Sequence, residues 1–123
     1  IACSLQPRRM DTVDLDDART FGAESFGKHG CFETERMFTD VYCFEPGQSQ
    51  SPHTHDDGDK VYVVLEGEGT FVVGEEEHVL AEGDAVLAPA GKRHGVRNAA
   101  NERLRTLVFM AWDHAPDGSA NGP

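Results

Sequence analysis

The sequence predicts a single all-β domain, an antiparallel sandwich or barrel, and three observations carry that prediction. Glycine and proline punctuate the chain at short intervals from Pro46-Gly47 onward, at Gly58, Gly67, Gly69, Gly74, Gly83, Pro89, Gly91 and Gly95. Between them lie short β-rich runs at 38–45, 60–66, 70–73, 78–81, 85–88 and 104–111. Short strands separated by turn signals at this spacing are the pattern of a sandwich or barrel. No stretch from 38 to 112 sustains an apolar period of 3.6 residues, so no long helix is expected there.

The 123 residues suffice for one self-contained core, and the domain is expected to span 1–123. Residues 1–37 read as an N-terminal arm with edge strands, able to cover an open sheet edge by pairing. Within it, 11–20 suits a short turn or one helical turn, capped by Asp14 or Asp16. Residues 38–112 form the barrel proper. Residues 113–123, rich in Gly, Ala, Ser, Asn and Pro, read as a flexible tail. Gly67 and Gly83 are expected to close hairpins, where a positive φ favours glycine.

Composition excludes some partners. The formal net charge is −11, which disfavours nucleic acid, whose phosphates are met by Lys and Arg. It also disfavours anionic membrane surfaces. No apolar run is long enough to span a bilayer. No basic segment followed by an apolar one opens the sequence, so the expected location is the cytoplasm. The three cysteines, Cys3, Cys31 and Cys43, show no metal-ribbon spacing and no complete disulfide framework. Cys43, in the run Val41-Tyr42-Cys43-Phe44, reads as a buried small hydrophobe.

Two histidine-bearing segments carry the chemistry. The first runs Gly47-Gln48-Ser49-Gln50-Ser51-Pro52-His53-Thr54-His55, then four residues, Lys60, six residues and Gly67. The second runs Gly83, five residues, Pro89-Ala90-Gly91, two residues, His94, three residues and Asn98. In an extended segment alternate side chains share a face, so His53 and His55 point one way and Thr54 the other. His94, Val96 and Asn98 share a face by the same rule. Of the six histidines, His29, His78 and His114 lie outside these segments and read as surface or structural.

Together the segments resemble the paired motifs of the cupin superfamily, G-x5-H-x-H-x3,4-E-x6-G and G-x5-P-x-G-x2-H-x3-N. The second motif matches at every defined position. The first departs at one, with Lys60 where the family has a glutamate ligand. The resemblance, over roughly 40–112, implies a double-stranded β-helix, or jelly-roll, barrel with a metal site inside its open end. It implies His53, His55 and His94 as ligands of a divalent transition metal. Imidazoles suit Fe, Zn, Mn, Ni or Cu alike. Three histidines would leave positions open for water or substrate. The resemblance also implies a homodimer and a small-molecule ligand.

Lys60 limits what can be carried over. A charged ammonium has no lone pair and cannot replace a carboxylate ligand. It either points inward, anchoring an anionic substrate group, or sits at the rim paired with Asp56, Asp57 or Asp59. Asp59 is an alternative ligand at the shorter family spacing, but it lies on the opposite face of a regular strand. Tyr62 and Val64 share the parity of Lys60, and Lys60 and Tyr62 are the candidate catalytic residues. Phe71, Val73, Phe109 and Met110 are further candidates for the pocket wall. The expected function is a small metal-binding cupin acting on a small organic anion by dioxygenase-type or isomerase/lyase-type chemistry. The alternative is a non-catalytic binding or sensing module.

Overall fold

The computed structural model describes residues 10–112. After a 3-10 turn at Leu15–Asp17 come nine strands: β1 (Gly27–Glu33), β2 (Met37–Phe44), β3 (Ser49–His53), β4 (Gly58–Glu66), β5 (Glu68–Val73), β6 (Glu76–Ala81), β7 (Ala85–Ala88), β8 (His94–Arg97) and β9 (Leu104–Trp112). They form two antiparallel sheets, ordered β1-β2-β9-β4-β7 and β3-β8-β5-β6. This is the double-stranded β-helix expected from the motifs. The predicted runs from 38 onward each fall within or against a strand. β1, β3 and β8 had no counterpart among them, because β1 is half exposed, β3 is a polar segment and β8 is only four residues long.

The main core fills the space between the sheets. Tyr42, Phe44, Tyr62, Val64, Phe71, Val96, Leu104 and Val108 are all buried there, drawn alternately from the inner faces of facing strands. On β9 the inner residues are Leu104, Thr106, Val108 and Met110, all buried. Phe109 therefore takes the outer parity with Leu107 and cannot line an interior pocket beside Met110, which corrects one sequence expectation.

A second, smaller cluster lies outside the five-stranded sheet. Ala18, Val41 and Cys43 are fully buried there, with Leu15, Phe21, Cys31, Leu65 and Leu107 against them. The N-terminal arm is its lid. Asp14 caps the 3-10 turn by accepting from the Asp16 N–H at 3.0 Å. Arg105, 4% exposed, ties the arm down. Its guanidinium donates to the carbonyls of Leu15 (2.8 Å) and Ala18 (3.2 Å) and to Glu66 Oε1 (2.8 Å). β1 then pairs with β2, so residues before 40 do cover that edge.

Gly67 and Gly83 do not close hairpins. Each stands at a corner where the chain crosses from one sheet to the other, β4 to β5 and β6 to β7. Gly67 has φ +82°, and a Cβ there would run into the Arg103 carbonyl. The residue is needed for close approach as well as for its dihedral. Residues 113–123, expected as a tail, lie outside the described residues.

Candidate metal centre and its surroundings

The first motif delivers its histidines from the end of a strand. β3 ends at His53, and His55 lies two residues beyond it, with Thr54 exposed between them. β3 pairs with β8, setting His53 directly opposite His94, and its register slips between Gln50 and His53. Gly95 makes that irregularity possible. A Cβ at Gly95 would lie 2.8 Å from both the Gln50 carbonyl oxygen and the Pro52 nitrogen. The missing side chain lets β3 lie against β8 and swings His53 over His94.

The second motif holds this arrangement together. Gly91, at φ +84°, donates its N–H to the His55 carbonyl at 2.7 Å. The Ala90 N–H donates to Asp59 Oδ1 at 2.9 Å. Asn98 is buried and donates to the carbonyls of Phe44 and Glu102, while its own carbonyl accepts from Gly47 N–H at 2.8 Å. The defined positions of both motifs are thus largely backbone fasteners around the histidines.

The three imidazoles converge. Ring centroids of His53 lie 4.6 Å from His55 and 4.5 Å from His94. One ligand nitrogen from each falls within 4.8 Å of the others. His53 Nδ1 donates to the Ser51 carbonyl at 2.9 Å, and His94 Nδ1 to the Lys92 carbonyl at 2.9 Å. A carbonyl can only accept, so both rings carry their proton on Nδ1 and turn the Nε2 lone pair inward. His53 Nε2 then lies 3.0 Å from His55 Nε2. Two lone pairs at that distance repel unless a proton or cation lies between them. His94 Nε2 is buried with no hydrogen-bond partner, which is costly unless the atom is a ligand. Burial first, then the neighbouring His53, lowers the pKa of His55. Burial also lowers that of His94, against the pull of the Lys92 carbonyl. Both shifts favour the neutral, metal-ligating form. The donor set fits a divalent transition metal.

Lys60 points inward and is 2% exposed. Its Nζ lies 5.3 Å from the Tyr42 ring centroid and 5.4 Å from that of Tyr62, contacts in which aromatic faces attract a cation. Among the described residues it makes no ion pair, so pairing with Asp56, Asp57 or Asp59 is not what holds it. Burial, then repulsion from Lys28, lowers its pKa to about 8, and Asp40 opposes the shift. Asp59 is exposed and occupied with the Ala90 N–H, so it is not among the grouped ligands.

Tyr62 is buried beside the triad, its ring centroid 6.3 Å from that of His94. Its hydroxyl donates to Gln50 Oε1 at 2.6 Å. Burial raises its pKa above the usual phenol range. Tyr42 is pushed up to about 12 for the same reason. Val64 and Phe71 are core, and Val73 is half-buried. Three residues near the site are not among the site candidates of the sequence: Gln50, Tyr42 and Asp40. The parity of the 38–45 run could have placed Tyr42 and Asp40 on the inner face. Gln50 could not be placed, because the slip in β3 breaks its parity with His53.

Fold and histidine cluster together define a class, and the comparisons agree. The chain belongs to the cupin family, whose cupin domain model matches residues 40–110. It is similar to a Thermus thermophilus protein of known crystal structure, at 45% identity and TM-score 0.82, covering 84% of this chain and 98% of that one. An RmlC-like cupin from Desulfovibrio desulfuricans is 32% identical with TM-score 0.73, covering 84% and 97% of the two chains. An oxalate-binding protein of Thermotoga maritima is 24% identical over 106 residues, 86% of this chain and 87% of its own.

Proposed function

We propose that this cupin is an enzyme that holds a divalent transition metal on His53, His55 and His94 and acts on a small organic anion. The observation that carries this reading is the buried, partnerless Nε2 of His94 facing two further imidazoles. Such a metal supplies Lewis acidity and, if redox-active, electrons for dioxygen chemistry. The chain's own residues supply the rest. Three neutral ligands leave the ion's full charge uncompensated, so an anion is the natural partner. Lys60, without an ion pair of its own, receives a carboxylate or enolate oxygen of that anion. Tyr62, whose proton is committed to Gln50, stays a neutral phenol and presents an aromatic wall to the substrate. The oxalate-binding relative supports an organic acid as the ligand class. Dioxygenase-type and isomerase/lyase-type conversions both suit this arrangement.

The test is binding of simple organic acids, oxalate first, to metal-loaded and metal-stripped protein by calorimetry. Loaded protein is expected to bind at least about tenfold more tightly. Equal affinity without metal would favour the second reading, a binding or sensing module, which the lysine at the usual glutamate position supports. Reconstitution and product analysis with acids that bind then separate turnover from binding.

Lys60→Glu is expected to raise metal affinity at least about tenfold while abolishing anion binding. After burial and the His53 ring, the Lys60 charge also acts on His55 and His94, lowering the pKa of each. Even at about 10 Å, two unit charges interact by roughly 1.7 kcal/mol at an effective dielectric of about 20, and reversing the sign at residue 60 doubles that difference, more than the tenfold asked. Competition with a fluorescent chelator reads the effect, and weakened metal binding would count against the inward position of residue 60.

The same proposal includes a cytoplasmic homodimer. The free thiols of Cys31 and Cys43 suit a reducing compartment. Leu87, 54% exposed on the outer face of β7, leaves an apolar side chain on the five-stranded sheet for a second copy to cover. Light scattering is expected to return twice the chain mass, and a monomer at high concentration would refute the pairing.

A further inference from the structure

A cleft of about 510 Å³ lies against β1 and β2, its lining including Lys28, Gly30, Glu33, Phe38, Asp40 and Tyr42. Its volume is that of a site for a whole organic molecule, much more than a two-carbon acid fills. β1 and β2 pair with Lys28 opposite Tyr42 and Gly30 opposite Asp40, so these side chains share one face. That face continues across the sheet to Tyr62 and Lys60, and Tyr62 packs beside His94. Asp40 pairs with Val108, and Val108 with Tyr62. Phe38 pairs with Met110, and Met110 with Lys60.

Tyr42 joins the two regions. Lys28 Nζ lies 5.4 Å from its ring centroid on the cleft side, and Lys60 Nζ lies 5.3 Å from the same centroid. Three charged groups, Lys28, Asp40 and Lys60, thus gather about one aromatic ring. No two of them form an ion pair among the described residues. Lys60 is almost wholly buried in that condition, and Asp40 is half-buried. Lys28 is exposed at the mouth of the cleft, so the cost of a charge without a protein partner falls on Lys60 and in part on Asp40. Burial raises the Asp40 carboxyl above its usual range, with Lys28 opposing, and a donor from a ligand would relieve it.

We propose that the β1–β2 cleft holds the body of the substrate, an aromatic carboxylic acid bearing a hydroxyl group. Its acid head lies toward Lys60 and the histidines, its ring lies against Phe38 and Tyr42, and its hydroxyl donates to Asp40. This rests on the organic-anion reading above and narrows it from compact acids to extended ones.

The test uses three probes on the metal-loaded full chain: oxalate, 3-phenylpropanoate and 3-(4-hydroxyphenyl)propanoate, measured by calorimetry. The hydroxylated acid is expected to bind at least about tenfold tighter than oxalate and about fivefold tighter than its unhydroxylated analogue. In Asp40→Ala the ratio between the two aryl acids falls to about one. A second variant, Gly30→Leu, fills the cleft from its other wall. A Cβ at Gly30 meets nothing nearer than Asp40 Oδ1 at 3.7 Å, so the side chain can be built there. It is expected to exclude both aryl acids in preference to oxalate. Equal affinity for all three probes, or aryl-acid binding that Gly30→Leu leaves intact, overturns the inference while leaving the metal and organic-anion reading standing. Failure of every acid, oxalate included, on protein shown to carry metal overturns that reading and this inference together.

Discussion

Replacing His94 by alanine is expected to lower affinity for a divalent transition metal by at least about a hundredfold, leaving under about a tenth of an equivalent after purification. Three features make this the largest functional effect. His94 is the most deeply buried of the three histidines. Its ring is held by the Lys92 carbonyl, so its Nε2 is aimed before any ion arrives. Its loss leaves only His53 and His55, both part-exposed, with a lysine as the remaining inward charge. Two imidazoles beside an ammonium make a poor site. Elemental analysis of wild type and variant reads the result, with His78→Ala as the control, since among the described residues His78 pairs only with Glu76 on the surface. Equal metal content in wild type and His94→Ala would remove the three-histidine site.

Arg105→Ala is expected to cost about 3 kcal/mol of stability and to lower the melting temperature by roughly 10–20 °C. The guanidinium satisfies the Leu15 and Ala18 carbonyls, and truncation strands both beneath the arm. The cluster of Ala18, Val41 and Cys43 then loses its lid. Denaturant unfolding measures the cost, and a change under about 0.5 kcal/mol would show that the arm needs no such tie. The same contact predicts a pH dependence. Hydrogen bonds from Arg19 and Arg105 hold Glu66 down at about 2 from an ordinary 4.5. A carboxyl whose folded pKa is depressed contributes stability that is whole above about 4.5 and is lost as pH falls toward 2. Glu66 is partly exposed, so solvent screens part of this gain. Wild-type stability is expected to fall across that window, and less steeply in Glu66→Gln.

The residues that could be read in advance were those whose role is set by local spacing. Turn glycines, strand parity and the interval between His53 and His55 are properties of a short stretch of backbone, and they place the same side chains in any barrel of this kind. Phe109 against Met110 shows the limit. Both are apolar, but adjacent strand residues face opposite ways, and only the pairing of β9 says which way is in. Gln50 shows another limit. The slip in β3 beside Gly95 resets the alternation that would have located it, and that slip depends on how closely two strands approach. The arm was opaque for a similar reason. Arg105 and Leu15 are ninety positions apart, and a charge bonded to distant carbonyls leaves no local pattern.

By itself the sequence determined the fold class, the histidines that could meet and the one position where the family pattern fails. Those follow from periodicity and motif spacing, which the chain carries in one dimension. The direction of Lys60, the outward turn of Asp59 and the gathering of Lys28, Asp40 and Lys60 about Tyr42 were decided only in three dimensions. Each depends on which strands lie side by side, and the balance between desolvation and pairing that governs a buried charge is set by neighbours remote in the chain.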